Sequence, residues 1–114
     1  MAPKTVTDST LYNHYTRIQD ATFAEKRASV CIVHGFAQCS DTFFETALQL
    51  ALNGYVVHLV DLDGSGYSAG SRICGLSIKS FIHNVATLLL QVDQALPVYL
   101  MGHSMGGMII NQFL

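Results

Sequence analysis

The sequence predicts an α/β fold built on a parallel sheet. Strand-like apolar runs alternate with helix-like stretches in the order β-α-β-α-β-α from residue 29 to residue 114. Such alternation calls for parallel strands joined by right-handed crossovers. The strand runs at 29–34, 55–62 and 97–101 are almost continuously apolar, as strands buried on both faces are. A glycine-rich turn, G-H-S-M-G-G at 102–107, joins the last strand to the last helix.

Residues 1–28 read as an N-terminal segment, partly disordered or carrying early strands. The polar stretch 1–10 is expected to be disordered, and 11–18 to form an early strand. Residues 29–34 (SVCIVH) form a buried strand by their β-branched run. Thr42 and Glu45 stand in the T-x-x-E spacing of a capping box, predicting a helix through Leu52 that Asn53 and Gly54 close. Residues 55–62 (YVVHLVDL) are the next strand, followed by a loop with glycines at 64, 66, 70 and 75. Ser77 caps a second helix. Its apolar stripe of Ile78, Phe81, Ile82, Val85, Leu88, Leu89 and Val92 follows the i, i+3, i+4, i+7 rule. Lys79, Ser80, His83, Asn84, Thr87 and Gln91 take the other face. Pro97 starts the strand that leads into the glycine-rich turn.

Composition narrows the function classes. Half of the 114 residues are apolar and 12 % are charged, rich for a small domain with a large surface and suited to part of a larger α/β core. A net charge of −2 with no basic run excludes an electrostatic nucleic-acid footprint. The longest apolar stretch, 85–92, is interrupted by Thr87 and Gln91 and is too short for a transmembrane span. The first ten residues lack the apolar core of a signal peptide, and the default expectation is a cytoplasmic protein. Cys31, Cys39 and Cys74 are odd in number and have neither metal-ligand nor redox spacing.

The turn at 102–107 contains G-x-S-x-G between a strand and a helix. That context is the nucleophile elbow of serine hydrolases. A serine lifted clear of a strand end needs a strained backbone, and its neighbours must be small for strand and helix to approach. Ser104 is therefore the candidate nucleophile, supported by Gly102, His103, Gly106 and Gly107. A serine hydroxyl needs an adjacent base, itself oriented by a third group. No acidic residue and no histidine follows Ser104 in these 114 residues. His34, Gly35 and Phe36 end the first of the apolar strands, as Ser104 ends the third. If the strand at 55–62 lies on one side of the strand at 29–34 and the strand at 97–101 on the other, the reversal falls between Phe36 and Ser104, where such sheets bind ligands. The backbone N–H groups of Phe36 and Met105 are then candidates for an oxyanion hole.

The segments V-H-G-F-A-Q-C-S-D-T-F at 33–43, D-L-D-G-S-G-Y-S-A-G at 61–70 and L-M-G-H-S-M-G-G at 100–107 resemble the α/β-hydrolase superfamily, in its monoacylglycerol lipase and serine aminopeptidase-like branch. The resemblance implies that residues 29–114 are the N-terminal portion of an α/β-hydrolase domain, a fragment whose later strands, cap, acid and base lie outside this sequence. It implies a serine hydrolase cleaving carboxylic esters such as monoacylglycerols through an acyl-enzyme on Ser104, with Phe36 and Met105 as oxyanion donors and with no metal and no cofactor expected. The partner would be a small-molecule ester or lipid, compatible with peripheral membrane contact. Relatives often carry glutamate at the position of Gln38, and a basic residue and a histidine at those of Asp63 and Ser65. The alternative is a truncated, non-catalytic remnant or binding subunit.

Plainer readings apply elsewhere. His103 is expected to be packed or hydrogen-bonded rather than the base, because adjacent residues on an elbow point apart. His34 is expected to brace the oxyanion loop by hydrogen bonding. His58 reads as a satisfied core histidine, and His14 and His83 as surface residues. Asp61 and Asp63 precede the nucleophile and read as turn-formers. Cys31 reads as a buried small hydrophobe and Cys39 as a neighbour of the site. The G-x-G-x-x-A at 64–69 resembles a dinucleotide fingerprint but does not open directly into a helix, as that fingerprint requires.

Overall fold

A computed structural model describes residues 4–8, 15–22, 25–36, 38–62, 65, 68 and 78–114. Five strands form one sheet: β1 (Lys4–Asp8), β2 (Tyr15–Gln19), β3 (Ser29–Val33), β4 (Val56–Val60) and β5 (Val98–Gly102). Their order is β1-β2-β4-β3-β5. β3 pairs in parallel with both β4 and β5, while β2 is antiparallel to β4 and β1 to β2. The expected parallel α/β core is thus present, with β4 and β5 on opposite sides of β3. An antiparallel extension adds to it. Residues 1–10, expected to be disordered, contribute β1, and the early strand occupies Tyr15–Gln19.

The alternating side chains of β3 divide the core. Val30 and Ile32 pack with Ile18, Val57 and Leu59 against Ala47 and Ala51 of helix α1 (Phe44–Ala51). Cys31 and Val33 pack with Val60 against Val85 and Leu88 of α2 (Ile78–Leu89) and Ile109 of α3 (Met105–Phe113). Every β3 residue is buried because helices cover both faces of the sheet. Burial pushes the Cys31 thiol up to about 12, which leaves it a neutral hydrophobe.

Three local expectations are corrected. The helix after β3 starts with a 3-10 turn, Ser40–Phe43. There the Thr42 hydroxyl accepts from the Cys39 N–H at 3.3 Å, so Thr42 sits inside the first turn and the T-x-x-E spacing is not a cap. Asn84, assigned to the solvent face of α2, is buried. The second helix stops at Leu89, short of Val92, although Val92 remains buried. The closure of α1 is as expected: Gly54 has φ 93°, its N–H donates to Ala51 O at 3.1 Å, and Tyr55 N–H donates to Leu50 O at 3.2 Å. His14, Asp63, the G-x-G-x-x-A glycines, Cys74 and Ser77 lie outside the described residues.

Candidate functional site

The carboxyl ends of β3 and β5 place two turns side by side. Val33 pairs with Gly102, and one residue on, the His103 N–H donates to Val33 O at 3.2 Å. Ser104 then takes φ 55° and ψ −116°, the one positive-φ non-glycine among the described residues. A serine held there costs on the order of 1–3 kcal/mol. The turn around it closes at once, with Gly106 N–H donating to His103 O at 2.9 Å and Gly107 N–H to Ser104 O at 3.0 Å. Ser104 itself is exposed. The side chain is therefore presented to solvent at the top of the sheet by a backbone that only the surrounding packing sustains.

Glycine makes that packing possible at Gly102 and Gly106, and at Gly35 on the facing turn. A Cβ on Gly106 would lie 2.0 Å from Val33 O, and one on Gly102 would lie 2.5 Å from Gly106 C and Gly107 N. At Gly107 the nearest atom would be 3.6 Å away, an ordinary contact. The expectation that small neighbours are needed thus applies at Gly102 and Gly106 and not at Gly107. A Cβ on Gly35 would come within 2.9 Å of His103 O and 3.4 Å of Ser104 Cβ. The turn after β3 therefore lies directly against Ser104. Phe36, next in that turn, exposes 81 % of its surface. Met105 opens α3, where a first helical N–H has no intrahelical acceptor.

Hydrogen bonds fix the first turn. The His34 Nε2 accepts from the Leu62 N–H at 3.0 Å, which places its proton on Nδ1, and that N–H donates to Gly35 O at 2.9 Å. Burial lowers the His34 pKa, against smaller opposing effects of the Gly35 hydrogen bond and the Asp61 charge. The ring is thus a neutral strut tying the β3 turn to the end of β4. Gln38 adds a bridge that the sequence reading did not anticipate. Its Oε1 accepts from the Gly35 N–H at 2.7 Å and from the His103 ring at 3.2 Å. The backbone donor settles which amide atom faces inward. The exposed His103 ring also leans on Phe43, 5.7 Å away at 58°. Asp61, read as a turn-former, is buried, and its Oδ1 accepts from the Ser40 N–H at 2.7 Å while its backbone oxygen accepts from the Ser68 hydroxyl. The sequence signal for both struts was a polar residue one to five positions past an apolar strand; its partners were too far along the chain to be read.

The structure thus brings together His34, Gly35, Phe36, His103, Ser104 and Met105, with Gly102 and Gly106 beneath them. Cys39 stands half-buried at the start of the 3-10 turn. Among the described residues, no group of three or more His, Cys, Asp or Glu side chains could hold a metal ion, and no helix is long and apolar enough to cross a membrane.

Known proteins resemble this chain in sequence and in fold. A Mycolicibacterium smegmatis monoacylglycerol lipase is 29 % identical over 89 residues, covering 75 % of this chain and 32 % of the relative. A Saccharomyces cerevisiae monoglyceride lipase is 29 % identical over 89 residues, 73 % of this chain and 28 % of its own. The chain spans about a third of the length of these relatives. Among solved structures, a thermostable carboxyl esterase from Bacillus coagulans superposes with a TM-score of 0.78 at 23 % identity, over 99 % of this chain and 40 % of that one. A soluble variant of the yeast monoglyceride lipase superposes with a TM-score of 0.72 at 24 % identity and the same coverage. The family described as Serine aminopeptidase, S33 matches residues 24–114, and the chain belongs to that family of α/β-hydrolases.

Proposed function

We propose that these residues form the nucleophile and oxyanion half of a serine hydrolase that cleaves carboxylic esters of the monoacylglycerol class. The observation that carries the reading is Ser104: an exposed serine at φ 55°, on a strand-to-helix turn, with the Gly35 turn packed against it. Strain of this kind persists only where the surroundings over-determine it, and it clusters at reactive positions. The two lipase relatives, at 29 % identity, support the substrate class.

In this mechanism the Ser104 Oγ attacks the ester carbonyl as its proton passes to a base. The carbonyl oxygen becomes an oxyanion between the backbone N–H groups of Phe36 and Met105. The C–O bond to the alcohol then breaks, the alcohol leaves with the proton, and water hydrolyses the acyl-enzyme to a carboxylate. Each oxyanion donor contributes roughly 3–4 kcal/mol to the transition state. The base is neither of the nearby histidines. His34 has both ring nitrogens engaged, and His103 is turned onto Gln38 and Phe43. The proposal therefore takes its base, with an acidic partner, from outside these two turns.

An organophosphonate probe tests this in the full natural chain. Ser104 is expected to carry the label, and Ser104→Ala to abolish both labelling and turnover. A label that persists in the alanine variant would place the nucleophile elsewhere. An unlabelled wild-type chain would favour a non-catalytic member of the fold.

A further inference from the structure

The two turns at the top of the sheet meet at Gly35, and Gln38 holds that glycine from both sides. Its Oε1 accepts from the Gly35 N–H at 2.7 Å, and its own backbone N–H donates to Gly35 O at 3.2 Å. Gly35 O also accepts from His34 Nδ1–H at 2.9 Å. No peptide bond among the described residues is cis. In a planar trans peptide the Phe36 N–H points opposite to Gly35 O. Holding that carbonyl oxygen therefore fixes the direction of the Phe36 N–H.

The same Oε1 reaches across to the elbow. It lies 3.2 Å from His103 Nδ1, and the His103 ring rests on Phe43 from the same segment after β3. An amide oxygen carries no hydrogen and can only accept, so the hydrogen of this contact sits on His103 Nδ1. His103 immediately precedes Ser104. Its main chain is bonded on both sides, its N–H to Val33 O and its carbonyl oxygen to the Gly106 N–H. One side-chain oxygen thus joins the turn of Phe36 to the turn that carries Met105. The room for it exists because residue 35 is glycine: a Cβ there would lie 3.0 Å from Gln38 Oε1 and 2.9 Å from His103 O.

An oxyanion hole works only while its two donors keep their spacing. Full charge on the substrate oxygen develops on the way to the tetrahedral intermediate, so misplaced donors lower kcat and leave ground-state binding nearly untouched. We propose that Gln38 is a positioning residue for the ester hydrolysis described above. Its Oε1, shared between Gly35 N–H and His103 Nδ1–H, sets the spacing of the Phe36 and Met105 N–H donors. This assignment rests on the reading of Ser104 as the nucleophile. A merely structural bridge would change stability and leave the kcat of the folded chain alone.

The test uses the full natural chain and p-nitrophenyl butyrate, at a temperature where circular dichroism shows each variant folded. Gln38→Leu and Gln38→Ala both lack the acceptor. Each is expected to lower kcat by roughly 10- to 100-fold, less than the loss of a whole donor, with KM changed less than about threefold. Gln38→Glu returns an acceptor oxygen and should recover most of that loss. In ¹⁵N spectra of the unsubstituted chain at about pH 8.5, above the ordinary imidazole range, His103 should carry its hydrogen mainly on Nδ1. That readout needs no variant to fold. With Ser104→Ala inactive, any of four results would overturn the assignment alone: unchanged kcat in the leucine and alanine variants, a loss confined to KM, no recovery in Gln38→Glu, or a His103 hydrogen mainly on Nε2. Turnover that survives Ser104→Ala would overturn the hydrolase reading and this assignment with it.

Discussion

After β3 the chain leaves the sheet through His34, which is 1 % exposed with both ring nitrogens bonded to backbone. After β5 it leaves through Ser104, exposed and at φ 55°. The turns touch, yet different forces shape them. Satisfied polar atoms position the first. The second is shaped by missing ones: a strained backbone fits because Gly102 and Gly106 have no Cβ. The β3 turn should therefore be the more sensitive to a lost hydrogen-bond partner, and the β5 turn, with clearances of 2.0 Å at Gly106 and 2.5 Å at Gly102 against 2.9 Å at Gly35, the more sensitive to an added methyl group.

The largest effect is expected at Gly106. Its alanine variant must move Val33 O, a backbone atom 2.0 Å from the new Cβ. Overpacking against backbone costs typically 1–3 kcal/mol and here should reach or exceed the top of that range. Gly107→Ala, with 3.6 Å of clearance inside α3, should be neutral or stabilising by up to about 1 kcal/mol, the usual helical gain of alanine over glycine. Chemical denaturation of the two variants reads the difference. Equal losses would mean that steric exclusion does not shape the β5 turn.

Phe36 tests the proposed oxyanion donor next. Phe36→Ala keeps the N–H and should change kcat little, because the side chain is largely exposed. Phe36→Pro removes the donor and should lower kcat by on the order of 10²–10³. Equal losses in the two variants would assign the role to the phenyl ring.

A pH series probes the polar struts. Burial, and secondly the Arg17 charge, pushes the His58 imidazole down to about 4, and burial also lowers His34. Both are neutral in the fold, whereas unfolded histidines take up a proton near 6.5. Between about 6.5 and 4 the unfolded chain binds more protons, so stability rises with pH across that window. It is present in full above 6.5 and lost as pH falls toward 4. The His58 share of that loss is on the order of 3 kcal/mol. Urea midpoints at pH 7, 5.5 and 4 should fall in that order, and a flat series would contradict buried neutral rings.

Gln38 gives the smallest expected change. Gln38→Glu keeps an oxygen facing the Gly35 and His103 donors and should shift stability by less than about 0.5 kcal/mol. Gln38→Leu leaves those donors unpaired and should cost about 1–3 kcal/mol. If leucine is as harmless as glutamate, the first turn does not depend on this bridge.

Much of this was legible because the parallel core writes itself locally. The runs SVCIV and VVHLV are apolar because both of their faces are covered, and the strand–turn–helix at 97–107 carries its glycines in order. What escaped depends on partners far along the chain. Thr42 looked like a cap because spacing cannot show that Cys39 already supplies the turn. Asn84 looked solvent-facing because periodicity does not reveal where a helix meets its neighbours. Gln38 and His58 looked ordinary: one acquires its role from a loop 65 residues away, and the other is buried against the hydroxyl of Tyr15, 43 residues away.

The strand order also has a temporal meaning. β3 is synthesised before β4 and β5, yet it lies between them. Its pairing with β4 closes a loop that contains only α1, and its pairing with β5 must wait for α2 and a much longer closure. Long closures cost more chain entropy and slow the search. Ser104 can reach φ 55° only after Val33 and Gly102 have found each other, because that register brings His103 to Val33 O. The strained turn is therefore a late event in folding. A chain caught before it would hold most of its sheet and carry Ser104 on a relaxed backbone.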